Sequence, residues 1–402
     1  MTSPLSRAQS TFAPPVMEAR RWLEGVRFPP ERPLLNVSQA APVEAPPEAM
    51  REVIARAAME QPEAHLYGPV LGLPDLRAEL ASQWQQIYGG TIAPSQVAIT
   101  SGCNQAFSAA ITAICNEGDE VILPTPWYFN HKMWLDMAGV QAVPLPTGPG
   151  LLPDPEQAEA LITDRTRALV LVSPNNPGGV EYPDDLVETL YALAQRRGIR
   201  LIIDETYRDF DARAGRPHAL FEDPDWPRTL LHLYSFSKAY RLTGHRVGAI
   251  VTGEDRLAEA EKFLDTVAIC PNQLGQIAAL WGMRNLAQWL AGERAEILDR
   301  RAAIHDHFGL LAAQRWQMLG CGAYFAYLRH PFAMASDDMA QRLVAEAGIL
   351  LLPGTMFRPE DDEAGRRECR IAFANVARAE IETLFTRLSG LRWPLAQPQV
   401  SA

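Results

Sequence analysis

The chemistry of this chain is most visible around Lys238, in the segment SFSKAYRLTGHRVG at 235–248, which follows the apolar run 229–234. A lysine amine bonds covalently to carbonyl groups when burial or a cationic neighbour lowers its pKa. The hydroxyls of Ser235 and Ser237, with the guanidinium of Arg246, are suited to binding a phosphate. Together these groups indicate a site for pyridoxal 5′-phosphate, with the lysine holding the aldehyde as a Schiff base. Taken alone, the segment also fits a strand end with two surface cations.

Two further segments favour the cofactor site. The apolar run 169–172 leads into SPNNPGG, a rigid turn that holds Asn176 at the end of a predicted strand. The run 199–203 leads into Asp204, a carboxylate that would be desolvated there and would need a cationic partner. A pyridinium nitrogen is such a partner, and the phenol of Tyr207 could bond the 3-hydroxyl oxygen of the cofactor.

These segments resemble those of the class I/II aminotransferases, fold-type-I pyridoxal-phosphate enzymes of the aspartate aminotransferase group. The resemblance extends from about residue 34 to about residue 388. It implies that Lys238 binds the cofactor and moves the proton between it and the substrate Cα. It also implies a role for each surrounding side chain: Asp204 pairs with the pyridine nitrogen, Tyr207 and Asn176 bond the 3-hydroxyl oxygen, Ser235, Ser237 and Arg246 hold the phosphate, and Arg370 grips the substrate α-carboxylate.

The loop that opens the helix at 106–114 is a second predicted phosphate contact, made of Ser101, Gly102, Cys103 and Asn104. Free amides at a helix N-terminus favour an anion. The same position is expected to lower the pKa of the Cys103 thiol, for which we predict no catalytic role.

The family places an aromatic side chain against the cofactor ring, and the resemblance favours Tyr128, with Trp127 as the alternative. His131 could reach the substrate or solvent, and solvent is the expected surrounding. In relatives, the residue at Tyr67 serves the phosphate site of the neighbouring subunit, which implies a homodimer. Where relatives commonly carry a glycine in the loop that covers the substrate, this chain has Ala40.

Alternating helical stretches and short apolar runs between 48 and 250 predict an α/β fold with a doubly wound, mostly parallel sheet. The predicted strands are 97–100, 120–123, 141–143, 168–172, 200–203, 230–234 and 247–251. A long helix at 274–311 and shorter strands beyond it predict a smaller α+β domain. The predicted division is an N-terminal arm at 1–47, which is part of the small domain, a large cofactor-binding domain at 48–275, and a connecting helix with the small domain at 276–402. A short helical patch at 16–23 is expected to be mobile or to lie over the surface.

Composition limits the remaining possibilities. The net charge of −11, without a basic block, argues against nucleic-acid binding. No apolar run approaches the ~18 residues of a membrane span. Five widely spaced cysteines are typical of reduced thiols in a cytoplasmic protein. His305 and His307 face different sides of a predicted helix, so we predict no metal site.

The function predicted from the sequence is transamination between an L-amino acid and a 2-oxo acid. The donor is expected to be neutral or aromatic, because Arg370 fixes one carboxylate and Asn104 stands where some aspartate-specific relatives have a lysine. Arg208, Arg284 and Arg358 are candidates for a second carboxylate site. A carbon–sulfur β-lyase using the same lysine is the alternative. A cofactor-sensing module of a transcription regulator is a different class, but the short N-terminal segment has no room for a DNA-binding region.

Overall fold

The computed structural model describes residues 6–397, so the ends of the predicted arm and small domain, 1–5 and 398–402, lie outside the described residues. The helices of the described part are α1 Pro15–Arg21, α2 Glu48–Glu60, α3 Pro74–Tyr88, α4 Cys103–Ile114, α5 Phe129–Ala138, α6 Pro155–Ala160, α7 Asp184–Arg197, α8 Trp226–Thr229, α9 Phe236–Ala239, α10 Glu254–Ala268, α11 Gln273–Asn285, α12 Ala287–Ala312, α13 Ser336–Ala347 and α14 Arg378–Ser389. The strands are β1 Leu35–Asn36, β2 Val97–Thr100, β3 Glu120–Thr125, β4 Gln141–Pro146, β5 Thr166–Val172, β6 Arg200–Asp204, β7 Leu230–Ser235, β8 Gly248–Val251, β9 Gln317–Gly322, β10 Phe325–Arg329, β11 Ile349–Leu350, β12 Leu352–Pro353 and β13 Glu368–Ala372.

The larger sheet of the described chain has seven strands in the order β2-β8-β7-β6-β5-β3-β4. The neighbours from β7 to β4 are parallel, and β8 runs antiparallel to both β2 and β7. Its central strands β5, β6 and β7 are mostly apolar and almost wholly buried, because helices cover both faces of a sheet of this kind. The predicted α/β fold with a mostly parallel sheet is therefore confirmed.

The sheet aligns the carboxyl ends of its parallel strands along one edge. The register of β5 with β6 sets Val172 opposite Asp204, and the register of β6 with β7 sets Asp204 opposite Leu233, two residues before β7 ends. Ligands of open α/β sheets bind beyond this edge. The residues that follow these strands therefore converge on one place.

A second, four-stranded antiparallel sheet has the order β12-β13-β10-β9. It packs with α12, α13 and α14 around a separate apolar cluster that includes Phe325, Leu343 and Phe385. The short strand β1 pairs in parallel with β11, which ties the chain near Leu35 to this region. The exact domain boundaries near 47 and 275 stay a prediction.

The predicted continuous helix at 274–311 is wrong in one respect. It is divided at Leu286 into α11 and α12. The sequence does not predict this break, because neither glycine nor proline stands there and both halves have helix-favouring residues. Within residues 6–397, no helix combines the length and apolar character that crossing a membrane requires.

Candidate active site

Lys238 lies at the carboxyl end of β7, in the single turn of α9. Its Nζ donates a hydrogen bond to the backbone carbonyl of Ala40 at 2.6 Å. Burial, followed by the positive charges of Arg246 and Arg370, lowers the pKa of Lys238 to about 8. A substantial fraction of this amine is therefore neutral near pH 8, as a nucleophile or proton acceptor requires.

Asp204 is the buried last residue of β6. Its Oδ1 accepts a hydrogen bond from the backbone N–H of Thr206 at 3.0 Å, and its Oδ2 lies 3.3 Å from Nε2 of His131. Burial raises the pKa of Asp204, but His131 and Thr206 outweigh burial and hold it below its ordinary value. The carboxylate therefore stays ionised and can stabilise a cation placed beside it.

His131 does not face solvent, and that expectation is wrong. Its side chain is buried, and its ring stacks on Phe107 with the centroids 3.9 Å apart. The first turns of α5 place it three residues after Tyr128, on the side of the helix that faces the end of β6. The signal in the sequence was this spacing from the predicted aromatic residue, combined with the apolar residues around it.

Arg370 lies in the middle of β13, buried with its guanidinium over the rings of Phe325 and Phe357. Its Nη1 donates to Oδ1 of Asn176 at 2.8 Å, and its Nη2 donates to the backbone carbonyl of Ser38. Burial lowers the pKa of Arg370 to about 10. No carboxylate among residues 6–397 pairs with it, and its buried Nε has no hydrogen-bond partner there. A buried, uncompensated cation of this kind is a suitable partner for the carboxylate of a ligand.

The N-terminus of α4 and Arg246 form the opposite end of the site. Gly102 precedes α4 with φ +88°, and a Cβ at this position would lie 2.1 Å from Nη2 of Arg246. Nη1 of Arg246 donates to Oγ of Ser237 at 3.3 Å, and the backbone N–H of Ser237 donates to Oγ of Ser235 at the same distance. Helix amides, hydroxyls and a guanidinium within hydrogen-bonding reach of one another fit a phosphate.

The expected low pKa of Cys103 is wrong. Burial, together with the negative charge of Asp204, raises the pKa of this thiol well above its ordinary value. Cys103 is therefore a neutral thiol in the wall of the site.

Tyr128, and not Trp127, lines the cavity between these groups. Its ring is perpendicular to that of His131 at 5.0 Å, and its hydroxyl donates to Oδ1 of Asn104 at 3.2 Å. Trp127 is buried, and its backbone N–H donates to the carbonyl of Phe357. Tyr207 is buried at the cavity wall, with its ring against Tyr324.

The cavity has a volume of about 340 Å³. The structure brings these predicted residues to its walls: Ala40, Cys103, Asn104, Tyr128, Asn176, Asp204, Tyr207, Ser235, Ser237, Lys238, Arg246 and Arg370. Ser101 and Gly102 lie just outside the walls, and Tyr67 is 80% exposed on the surface. Sequence reasoning missed several wall residues: Val16, Gln39, Ala41, Phe129, Asn130, Val172, Thr206 and Thr243.

Pyridoxal 5′-phosphate fits this arrangement of donors and charges. Gly102 allows the guanidinium of Arg246 to lie close to the N-terminus of α4, and Asp204 is an ionised carboxylate suited to a pyridinium nitrogen. Lys238 supplies an amine of lowered pKa in the same cavity, and Arg370 supplies an uncompensated cation suited to a substrate carboxylate. The fold and the site therefore define a pyridoxal-phosphate enzyme acting on amino acids.

Comparison with known proteins supports this class of enzyme. The sequence profile described as "Aminotransferase class I and II" matches residues 33–388, and the chain belongs to this family of pyridoxal-phosphate-dependent aminotransferases. It is 31% identical to the aspartate/prephenate aminotransferase of Thermus thermophilus, over 77% of this chain and 80% of that protein. It is 29% identical to the valine–pyruvate aminotransferase of Mycobacterium tuberculosis, over 88% and 90% of the two chains. The structure of Thermus thermophilus aspartate aminotransferase with maleate superposes with a TM-score of 0.86, at 26% identity, over 96% of this chain and 99% of that chain.

Proposed function

We propose that this aminotransferase takes the amino group of a neutral or aromatic L-amino acid and transfers it to a 2-oxo acid. The observation that carries the proposal is the charge of the cavity wall. Among residues 6–397, the cations in that wall are Lys238, Arg246 and Arg370. In the proposed site, these are assigned to the reacting amine, the cofactor phosphate and the substrate α-carboxylate. A second carboxylate would then be buried without a cation of its own, which is costly.

The three arginines considered from the sequence as a second carboxylate site lie elsewhere. Arg208 is buried with its guanidinium 3.9 Å from the centre of the Trp84 ring. Arg284 pairs with Glu79. Arg358 forms ion pairs with Glu368 and Asp362. None of the three lines the cavity, so none supplies the missing charge there.

Each polar residue of the wall has a proposed task in the reaction. Bound pyridoxal 5′-phosphate supplies a carbonyl for the amino group and an electron sink for the Cα carbanion. Arg370 orients the substrate through its carboxylate. Nζ of Lys238 would accept the Cα proton of the substrate and donate it again later in the reaction, for which a pKa of about 8 is suited. Asp204, which lies 3.3 Å from Nε2 of His131, would hold the cofactor through its ring nitrogen, and Tyr128 would contact the ring.

The relatives support a neutral donor only in part. The name of the Mycobacterium tuberculosis protein describes a neutral amino acid and pyruvate, and its similarity covers the larger share of this chain. The name of the Thermus thermophilus protein describes aspartate and prephenate. The amide of Asn104 at the α4 N-terminus favours the neutral donor for this chain, because an amide does not neutralise a carboxylate.

We also propose that the enzyme is a cytoplasmic homodimer whose two sites each use Tyr67 of the neighbouring subunit. Support comes from the exposure of Tyr67 together with its neighbour Leu66, which is 68% exposed. The five free thiols support the reducing compartment.

Donor preference tests the proposal. We expect kcat/KM for alanine, methionine, leucine or phenylalanine to exceed that for aspartate, measured with one acceptor at a fixed concentration. A clear preference for aspartate would overturn the assignment of the donor. Release of pyruvate and ammonia in place of a new amino acid would instead identify a lyase.

The assignment of Lys238 has its own test. Borohydride reduction followed by proteolysis and mass mapping should place a pyridoxyl group on Lys238. The chain has only two other lysines, Lys132 and Lys262, so the map is unambiguous. Label on either of these, or turnover by Lys238→Ala near the wild-type rate, would contradict the assignment.

A further inference from the structure

The turn at 173–179 contacts the four-stranded sheet at two places. One is the hydrogen bond that Nη1 of Arg370, on β13, donates to Oδ1 of Asn176 at 2.8 Å. The other is the edge strand β9, where the buried Gly178 packs against Gly320. The turn therefore lies against both β13 and β9, which are separated in the sheet by β10.

Glycine at position 320 is required by this contact and not by the backbone conformation. A Cβ on Gly320 would lie closer than 3.0 Å to the carbonyl oxygen of Gly178 and 2.9 Å from Cγ2 of Val180. The φ angle of Gly320 is not in the positive range that favours glycine. Gly322, on the same face of β9, would meet the carbonyl oxygen of Gly179 in the same way. A backbone carbonyl cannot rotate aside as a long side chain does, so a methyl group at either position must displace the turn or the strand.

The register of the sheet connects Gly320 to Arg370. Tyr327 of β10 is the partner of Gly320 on one side and of Arg370 on the other. Residues that lie directly opposite each other in antiparallel strands point to the same face of the sheet, so these three residues form one row on one face. The row meets the turn at both of its ends, at Gly178 and at Asn176.

The turn is held together by its own hydrogen bonds. The backbone N–H of Gly178 donates to Oδ1 of Asn175 at 2.7 Å, and the backbone N–H of Gly179 donates to the Asn175 carbonyl at 2.7 Å. Asn176 lies within the segment that these bonds close. Because buried, close-packed segments transmit a displacement, a shift of Gly178 also moves Asn176 relative to Arg370.

We infer that Gly320 is a positioning residue for the substrate carboxylate, because it lets the turn approach the sheet closely enough for Asn176 to orient the guanidinium of Arg370. The inference rests on the proposed function, which assigns the substrate α-carboxylate to Arg370. The guanidinium is held by Asn176 through Nη1 and by the Ser38 carbonyl through Nη2. Without the first of these bonds its planar fork loses a fixed direction, and bidentate binding of a carboxylate depends on that direction.

The test compares the binding of a carboxylate with the binding of the cofactor. Propanoate and 3-phenylpropanoate have the carboxylates of alanine and phenylalanine without the amino group, so their dissociation constants from the holoenzyme can be measured by calorimetry without turnover. Gly320→Ala should raise these constants by about tenfold, the usual effect of losing a hydrogen bond to a charged group. The dissociation constant of pyridoxal 5′-phosphate should change by less than about threefold, because the residues proposed to hold its phosphate and ring nitrogen belong to the larger sheet.

Gly148→Ala is the matched control. Gly148 is an exposed glycine with an extended backbone, and a Cβ there would meet only the carbonyl oxygen of Leu152, at 3.8 Å. This variant should change neither the carboxylate constants nor the cofactor constant. A Gly320→Ala protein that binds both ligands as Gly148→Ala does, or that weakens carboxylate and cofactor equally, would overturn the inference alone.

A double-mutant cycle tests the path through Asn176. Asn176→Ala removes the hydrogen bond itself, so adding Gly320→Ala should weaken carboxylate binding by less than about threefold further. Independent effects of the two substitutions would contradict the inference. If Gly320→Ala does not fold, Gly322→Ala displaces the same turn and is measured in its place, and failure of both variants to fold would show that the contact serves stability and not positioning. Wild-type protein that binds neither acid would contradict the assignment of Arg370 in the proposed function, and the inference with it.

Discussion

At the scale of single residues, the site depends on charged side chains that are buried. Lys238, Asp204 and Arg370 lie close together, and each has a pKa below its ordinary value. The two cations are shifted first by burial, whereas Asp204 is shifted by its partners against the effect of burial. These opposite causes leave an amine that can lose its proton beside a carboxylate that keeps its charge.

The lowered pKa of Lys238 predicts a pH dependence that can be measured without cofactor. In cofactor-free protein, only the neutral amine reacts with an amine-directed reagent, so labelling of Lys238 should accelerate as the pH rises through about 8. Arg246→Met removes a cation that disfavours the charged amine, and it should move the midpoint to higher pH. Mass mapping of the label separates Lys238 from exposed Lys262, which serves as the internal reference.

The control for this titration is Arg366→Met, which removes an exposed arginine paired with Glu363. It should leave the midpoint unchanged. A midpoint for wild-type Lys238 near that of an ordinary lysine, about 10.4, would show that burial and the neighbouring cations do not lower the pKa of Lys238.

At the scale of elements, the N-terminus of α4 must approach Arg246 closely. Gly102→Ala would place a Cβ at 2.1 Å from the guanidinium, whereas Gly118→Ala, at a similar positive φ, would meet no atom within 4 Å. Both variants should lose stability because a positive φ disfavours side chains, by about 1–2 kcal/mol. Only Gly102→Ala should also weaken the binding of pyridoxal 5′-phosphate, because it displaces Arg246.

Thermal unfolding and cofactor titration of the two variants separate these effects. Equal cofactor affinity in Gly102→Ala and Gly118→Ala would mean that the space beside Arg246 is not part of the phosphate site. The comparison is informative because strain from the backbone is common to both positions and the contact with Arg246 is not.

The elements also show which parts of the site can be predicted from the sequence. Asn176, Asp204 and Lys238 each follow an apolar strand, so the edge of a parallel sheet predicts their meeting. Val16 and Gln39 line the same cavity but come from a short helix and an irregular loop, whose positions depend on packing that has no local pattern. The segment containing α1, expected to be mobile or to lie over the surface, lies on the surface with Ala19 buried, and it brings Val16 to the cavity wall. The burial of His131 was missed because its spacing of three residues from Tyr128, the signal that could have indicated it, was not used.

At the scale of the whole molecule, one exposed surface is unusually apolar. Leu66 and Tyr67 lie beside the segment at 267–273, to which they are tied by hydrogen bonds from Gln273 to the Leu66 carbonyl and from the Gly68 N–H to Sγ of Cys270. Val267 and Ile269 of that segment are also exposed. Exposed apolar side chains grouped in this way are typical of an interface between subunits.

The proposed dimer therefore predicts the outcome of a charge placed on this surface. Leu66→Asp should lower the mass measured by light scattering from that of a dimer to that of a monomer, because an aspartate in an apolar interface loses its hydration without gaining a partner. It should also weaken the binding of pyridoxal 5′-phosphate, since Tyr67 would no longer reach the site of the neighbouring subunit. Leu310→Asp is the matched control, an exposed leucine on α12 away from this surface, and should change neither quantity. An active wild-type monomer at assay concentration, or a Tyr67→Phe variant with unchanged cofactor affinity and full activity, would contradict the shared site.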